Sequence, residues 1–356
     1  MVEPFVYTSQ PSRIVFGAGT LAQLADEVTA LGGERVLFCC TPGRKSEVEE
    51  IAAGFQDRLA GICDIAKLYV PVEIVAEGVE IARAAKADCL VSYGGGTAVG
   101  LAKGIALELD IPIVAVITTY SGSETTSMQG MLDGGAKKMF KSPRMLPKTV
   151  IYDPDLTAGV PLNVLVPSGV NAMAHAVEAF YAEGANPVSS IIAEEGLRAM
   201  ATALPRLADD PSNMEARADG LYGAWLCAVP LVTTGVALHH KAAHVVGGGW
   251  DLPHADTHTI ILPHATAYNR DAAPEAMQRI ARALGADDDA PGAIFDLLKR
   301  SGAPTALRDL GMPEEGIAKA ADLIASAPYF NPSPVERAPV LAMLEDAWHG
   351  RRPGAG

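Results

Sequence analysis

The chain lacks several features that would direct it to particular kinds of work. It has no C-x-x-C pair. Its five cysteines (Cys39, Cys40, Cys63, Cys89 and Cys227) are an odd number, a pattern that points to reduced, mostly buried thiols. It is poor in bases: 28 Lys and Arg stand against 42 Asp and Glu, a formal charge of −14. That balance leaves no broad cationic footprint for nucleic acid or an anionic membrane, though an anionic substrate needs only local cations. No apolar run approaches the roughly 18 residues of a membrane span. Met1-Val2-Glu3-Pro4 has neither a basic n-region nor a long apolar stretch, so no signal peptide is expected and the expected location is cytoplasmic. What is present is a globular composition, 49% hydrophobic and 20% charged, over 356 residues, enough for two domains.

The first half alternates strands and helices. Ser12–Phe16, Arg35–Cys40, Ile65–Val70, Cys89–Tyr93, Ile113–Ile117 and Thr149–Tyr152 read as strands, being β-branched or aromatic runs between Gly, Pro or charged residues. Leu21–Leu31 and Ile74–Ala87 place their apolar residues on one helical stripe. Such alternation predicts βαβ units and a mainly parallel sheet, with ligands at the carboxyl ends of the strands. After Asp153-Pro154 the β-branched runs fade. Val170–Glu183, Ile191–Leu204, Gly220–Val229, Thr234–Gly247, Pro274–Leu284, Ala293–Arg300, Pro313–Ala327 and Val335–Trp348 read as helices. The expectation is an α/β domain over 1–155 and an all-helical domain over 156–356.

Gly94-Gly95-Gly96-Thr97 follows a predicted strand and opens a helix. Glycines let backbone approach an anion, the helix N-terminus offers N–H donors, and Thr97 adds a hydroxyl. A ligand-free tight turn would use the same residues. The earlier Gly17-Ala18-Gly19 lacks the third glycine of a dinucleotide fingerprint and reads as structural. A second polar turn, Thr118-Thr119-Tyr120-Ser121-Gly122-Ser123-Glu124, follows another strand; its hydroxyls suit a nucleotide, while helix capping also accounts for Ser123 and Glu124. Two such turns at successive strand ends favour a dinucleotide crevice. The stretch Cys39–Lys45 has no acidic residue to select NADH, and Arg44 and Lys45 suit either a 2′-phosphate or solvent, so NADH and NADPH both stay open.

Seven of the eight histidines fall between His175 and His264. Asn171 and His175 share a helix face, as do His240 and His244, and His254 follows in a predicted loop. An Asp at 171 with these histidines would make a good divalent site; Asn is a neutral, weaker ligand. His240-Lys241-Ala242-Ala243-His244 is not a zinc-protease motif, because Lys stands where the general base belongs. Singly, each histidine fits a satisfied core or cap role. As a set they point to a used cleft, since clustered titratable groups are costly otherwise. His239, His258 and His264 carry less spacing information and read as structural.

Together, Gly94–Thr97, Gly122-Ser123-Glu124, Asn171-x-x-x-His175 and His240-x-x-x-His244 with Pro253-His254 resemble the iron-containing alcohol dehydrogenase family. The resemblance implies a Rossmann-like α/β domain binding NAD(P), followed by an all-α domain, the dehydroquinate synthase-like architecture. It implies one Asp and three His on a metal, at positions occupied here by Asn171, His175, His240 and His254. His244 matches a further histidine near the nicotinamide, Lys137 would lie at the cofactor ribose, and Thr41 near the adenosine half. Pro11–Gly19, Leu146–Pro154, Ser168–Ala172 and Asn331–Val335 are similar to one branch of that family, in which Asn at 171 is typical. That branch implies NAD(P)H-dependent reduction of the alkene of maleylacetate, a dicarboxylate, to 3-oxoadipate in aromatic degradation. The family also implies a homodimer.

The residues suit that chemistry without a metal. Hydride addition to an alkene conjugated to a ketone leaves an enolate-like oxygen, which preorganised donors stabilise while an acid protonates the adjacent carbon. His175, His240, His244 and His254 are the candidate donors, with His244 the proton donor and Asn171 holding a geometry that Asp could not. Lys241, Tyr329 and Tyr120 are candidates for a substrate carboxylate, with solvent exposure and core packing equally good accounts. Two other readings compete: a metal-dependent alcohol dehydrogenase with Asn171 as a ligand, and a nucleotide-binding protein that acts by interaction alone.

Overall fold

The computed structural model describes residues 5, 7–10, 12–134, 136–326 and 329–354. The chain divides into two compact units, Ser9–Gly159 and a second built from Val160 onward. In the first, strands and helices alternate as β1 (Arg13–Phe16), α1 (Leu24–Ala30), β2 (Val36–Cys39), α2 (Lys45–Ala52), β3 (Leu59–Cys63), α3 (Val72–Ala84), β4 (Cys89–Gly94), α4 (Gly96–Leu109) and β5 (Ile113–Ile117), then β6 (Met128–Asp133), β7 (Ala136–Lys141) and β8 (Thr149–Tyr152). Six of these strands form one all-parallel sheet in the order β1-β8-β5-β4-β2-β3, and β6 pairs with β7 as a separate antiparallel hairpin.

Both faces of the sheet are covered, so its strands are apolar throughout and not alternating. Leu37 and Cys39 of β2 enter a core with Val75 and Val79 of α3 and Leu101 and Ile105 of α4. Val36 and Phe38 enter the opposite core with Leu24 and Val28 of α1 and Val48 of α2. Because β4 pairs with β2 after the chain has passed through β3, the strand order reverses there. The carboxyl ends of β2 and β4 are therefore where a doubly wound sheet opens a crevice. All five cysteines are buried, and none forms a disulfide.

Residues 65–70, expected as a strand, form a loop; the strand is β3, six residues earlier. Tyr69 and Val70 have φ of 62° and 48°, which curls the backbone out of any strand. In β3 itself, Ala60 and Gly61 dilute the β-forming signal. The reading of the sequence also passed over α2 and the β6–β7 hairpin.

The second unit is helical: α5 (Leu162–Ala179), α6 (Pro187–Asp209), α7 (Met214–Ala228), α8 (Leu231–Thr234), α9 (Leu238–Gly249), α10 (His254–Tyr268), α11 (Pro274–Ala283), α12 (Ala290–Arg300), α13 (Gly316–Ala325) and α14 (Arg337–His349). One of its cores joins Leu238 and Val246 of α9, Ile260 and Ile261 of α10, Ile324 of α13 and Leu344 of α14. Helix α5 starts well before the expected Val170, carrying Pro167 in its second turn. His254 is the first residue of α10 and not part of a loop, with Pro253 at the N-cap. That helix is buried on every side from Thr257 to Thr266, so it has no polar face to betray its period. Among the described residues no single helix is long and apolar enough to cross a membrane.

His264, on α10, lies buried with its ring 6.3 Å from that of Phe295. Burial holds the imidazole down at about 4. An unfolded histidine protonates near 6.5, so between pH 6.5 and 4 the unfolded chain takes up a proton that the folded chain refuses. The stability linked to this residue is complete above pH 6.5 and is lost as pH falls toward 4, about 3 kcal/mol in all. H264Q is expected to flatten the acid limb of urea-unfolding stability over that window. An unchanged limb would show that His264 accepts its proton in place.

Candidate active site

In the α/β unit, Gly94-Gly95-Gly96-Thr97 carries the chain from β4 into α4. Gly94 has a φ of 142°, where L side chains are strained. A Cβ on Gly95 would meet the Thr119 hydroxyl, so glycine lets the polar turn after β5 pack closely on this one. The Thr118 N–H donates to the Gly94 carbonyl at 3.1 Å, which joins the two turns into one surface at the ends of β4 and β5. Gly95, Gly96 and Thr97 stay partly exposed there, presenting the first N–H groups of α4. Thr41, also partly exposed, follows β2, the strand next to β4.

The neighbouring charges are already paired. Arg44 Nη1 donates to both Glu47 oxygens at 2.9 and 2.7 Å, and Lys45 pairs with Asp64 at 3.1 Å. The Ser123 hydroxyl is turned inward, 3.1 Å from Gln129 Oε1 and 3.2 Å from Lys103 Nζ. At Gly17-Ala18-Gly19 the carboxylate of Asp153 accepts from the N–H groups of Gly19 and Leu21 at 3.1 and 2.9 Å, a use internal to the fold. Pro11 and the side chain of Lys137, which is on β7, lie outside the described residues.

In the helical unit, α5, α9 and α10 bring six imidazoles together. His175 stacks on His240 with ring centroids 4.9 Å apart, and His244 stacks on His254 at 6.0 Å. His258 bridges the two stacks, 5.1 Å from His240 and 4.3 Å from His254. Behind them His239 Nε2 meets His258 Nδ1 at 2.9 Å. Exposure rises across the group: His239, His240 and His258 are buried, His175 and His254 half-buried, and His244 exposed. Desolvation, with repulsion from neighbouring imidazoles, holds His175, His239 and His258 well below the usual histidine range. They are therefore neutral at pH 7.

The anchor of the cluster is Glu178, fully buried on α5. Its carboxylate accepts from the backbone N–H of Ala237 at 2.8 Å and of His239 at 2.7 Å, at the start of α9. It also meets His240 Nδ1 at 2.6 Å. An ionised carboxylate can only accept, so His240 carries its proton on Nδ1 and turns Nε2 outward. His240 Nε2, His175 Nδ1 and Asn171 Oδ1 are buried atoms without a protein partner. Among the described residues no three His, Cys, Asp or Glu converge as a metal ion requires.

The structure thus gathers His175, His240, His244 and His254 and keeps Asn171 on the same helix as His175. Lys241 places its ammonium 6.0 Å from the ring centre of Tyr329, whose buried hydroxyl lacks a protein partner. Tyr120 is fully buried in the α/β unit. Three members of the cluster were not singled out from the sequence: Glu178, His239 and His258. Glu178 stands three residues after His175 and His258 four after His254, so helical spacing held the signal.

Residues 11–154 match the family model for iron-containing alcohol dehydrogenase, and residues 165–348 match that for the C-terminal part of the Fe-containing alcohol dehydrogenase family. A maleylacetate reductase of Burkholderia cepacia is 47% identical over 98% of this chain and 99% of its own length. The crystal structure of maleylacetate reductase from Agrobacterium tumefaciens superposes with a TM-score of 0.96 at 44% identity, covering 99% of this chain and all of that one. An iron-containing alcohol dehydrogenase from Corynebacterium glutamicum gives a TM-score of 0.94 at 36% identity, over 99% and 98% of the two chains. With both halves matched and relatives of this similarity along its whole length, the chain belongs to the iron-containing alcohol dehydrogenase family.

Proposed function

We propose that the chain reduces the carbon–carbon double bond of maleylacetate with NAD(P)H, giving 3-oxoadipate. The observation that carries this reading is the imidazole cluster ordered around Glu178 beside a neutral Asn171; the maleylacetate reductases that match the full chain support it. The glycine turn, partly exposed at the N-terminus of α4, fits a cofactor diphosphate; the backbone of Gly94–Thr97 and the turn at Thr118 and Thr119 would hold it. When bound, the nicotinamide supplies hydride.

Hydride enters the alkene carbon next to the far carboxylate, electrons shift toward the ketone, and a proton completes the carbon beside that ketone. The protein's part is to receive the negative charge and deliver the proton. His254 presents a ring nitrogen to the developing enolate, while His240, its proton held on Nδ1 by Glu178, turns an accepting Nε2 to the site and so orients a neighbouring donor. His244, the exposed member, can exchange protons with water and serves as the acid. Lys241 and Tyr329 offer donors to a carboxylate.

A divalent metal does not fit these residues. The cluster's one carboxylate is spent on two backbone N–H groups and His240, and Asn171 offers only an amide oxygen. We therefore assign the reaction no metal-bound step. The test is oxidation of NADH, then NADPH, by the purified protein with fresh maleylacetate, with and without a strong chelator. Turnover that the chelator leaves unchanged is expected. Turnover that appears only when iron or zinc is restored would overturn the metal-free reading, and none under any condition would overturn the activity.

A further inference from the structure

Helix α4 has one charged residue within a run buried from Ala98 to Ala106, and it is Lys103, with no exposed surface. A buried ammonium is costly unless all its protons are used. Here Nζ faces four acceptors: the Ser123 carbonyl, the Ser123 hydroxyl at 3.2 Å, the Thr126 hydroxyl at 3.0 Å and the Met128 carbonyl at 2.9 Å. All four belong to residues 123–128, the segment that carries the chain from the polar turn after β5 into β6. Thr126 reinforces it, its hydroxyl 3.1 Å from the Ser123 carbonyl. Glu124, in the same segment, is fully buried and accepts from the Tyr152 hydroxyl at 2.8 Å.

Lys103 lies two helical turns beyond Gly96, on the helix whose start is the glycine turn. Leu101 and Ile105, on either side of it, are fixed in the core against α3. The lysine is thus a cross-brace. One end is set by a rigid helix, and the other holds the segment into which Thr118–Glu124 runs. The bond from Thr118 N–H to the Gly94 carbonyl is a second tie between the two turns, at the other end of the polar segment.

We propose that Lys103 is a positioning residue for the cofactor: it holds the Thr118–Glu124 turn against the Gly94–Thr97 turn, so that the two bind the cofactor diphosphate as one preformed surface. This rests on the reading of those turns as the cofactor's seat. Lys103 touches neither cofactor nor substrate. Its effect is on the order of the seat before binding, which sets the cost of binding and not the rate of the chemistry.

The experiment measures the NADH dissociation constant by nicotinamide fluorescence, and kcat and KM for both substrates, in the wild type, K103M and K103R. In K103M the constant for NADH is expected to rise at least tenfold, with kcat at saturating NADH and KM for maleylacetate within threefold of wild type. K103R, which keeps the charge, should recover part of the loss. An NADH constant in folded K103M within twofold of wild type overturns the proposal, as does a fall in kcat with no change in NADH binding, the mark of a general structural defect. If K103M does not fold, T126V removes a single acceptor, and a shift of about threefold in NADH affinity is the expected result; no shift overturns it. Failure of the wild type to bind NADH would instead strike the reading of the turns themselves.

Discussion

Replacing Glu178 by Gln is expected to lower kcat for maleylacetate about 100-fold while leaving NADH affinity within a factor of about two. The carboxylate serves three donors from one buried position: the N–H groups of Ala237 and His239, and His240 Nδ1. An amide of the same size has one oxygen for them and turns an NH2 on what remains. His240 is then free to place its proton on either nitrogen, and the accepting Nε2 that Glu178 holds toward the site is no longer fixed. E178A leaves all three donors without their buried acceptor, and a loss of about 3–5 kcal/mol in stability is expected with it. The two variants separate the roles: a loss of kcat in E178Q with only a small fall in Tm assigns Glu178 to orienting His240. If kcat survives in E178Q, the carboxylate does no more than fasten α5 to the start of α9.

The α/β half was largely legible because its strands are short, apolar runs cut by glycine and charge, and the sheet needs both faces covered. The single misplaced strand shows where that signal fails. Residues 65–70 have the composition of a strand, but two positive φ values bend them, and the true strand contains Ala60 and Gly61. In the helical half the failures follow burial. Helix α10 is apolar or polar with no regard to face from Thr257 to Thr266, because every face is inside, so its period did not show and His254, its first residue, read as part of a loop. His258, on that buried stretch, gives no sign of which neighbour it meets, and His239, on α9, stands outside the His240-x-x-x-His244 spacing. Glu178 was the more avoidable omission. A fully buried glutamate one helical turn beyond His175 has a partner to find, and the start of α9 supplies it. Lys103 carries the same lesson: one charge in an apolar helix run marks a polar network, though only the structure shows that its partners all lie on residues 123–128.

Asn171 is where a change of one atom should redirect the site. Its Oδ1 is buried without a protein partner, as are His175 Nδ1 and His240 Nε2. In N171D a carboxylate replaces that amide, and the cluster gains a negative charge it does not now have to spare. A unit charge about 5 Å from a substrate carboxylate, at an effective dielectric constant near 20, costs about 3 kcal/mol, or roughly 100-fold in kcat/KM for the dicarboxylate. The same charge supplies what a dication lacks in the wild type, an anionic ligand beside imidazoles. After incubation with zinc and gel filtration, N171D is expected to retain close to one metal per chain and the wild type a small fraction of that. The loss in kcat/KM should shrink when N171D is metal-loaded, because the metal covers the new charge. A wild-type protein that itself retains one metal per chain and loses turnover on chelation would reverse the assignment: Asn171 would then be a ligand, and the neutral site would owe its reactivity to the ion. If N171D turns over maleylacetate as fast as the wild type without metal, the substrate's carboxylates lie away from position 171, and the donors that meet them are Lys241 and Tyr329.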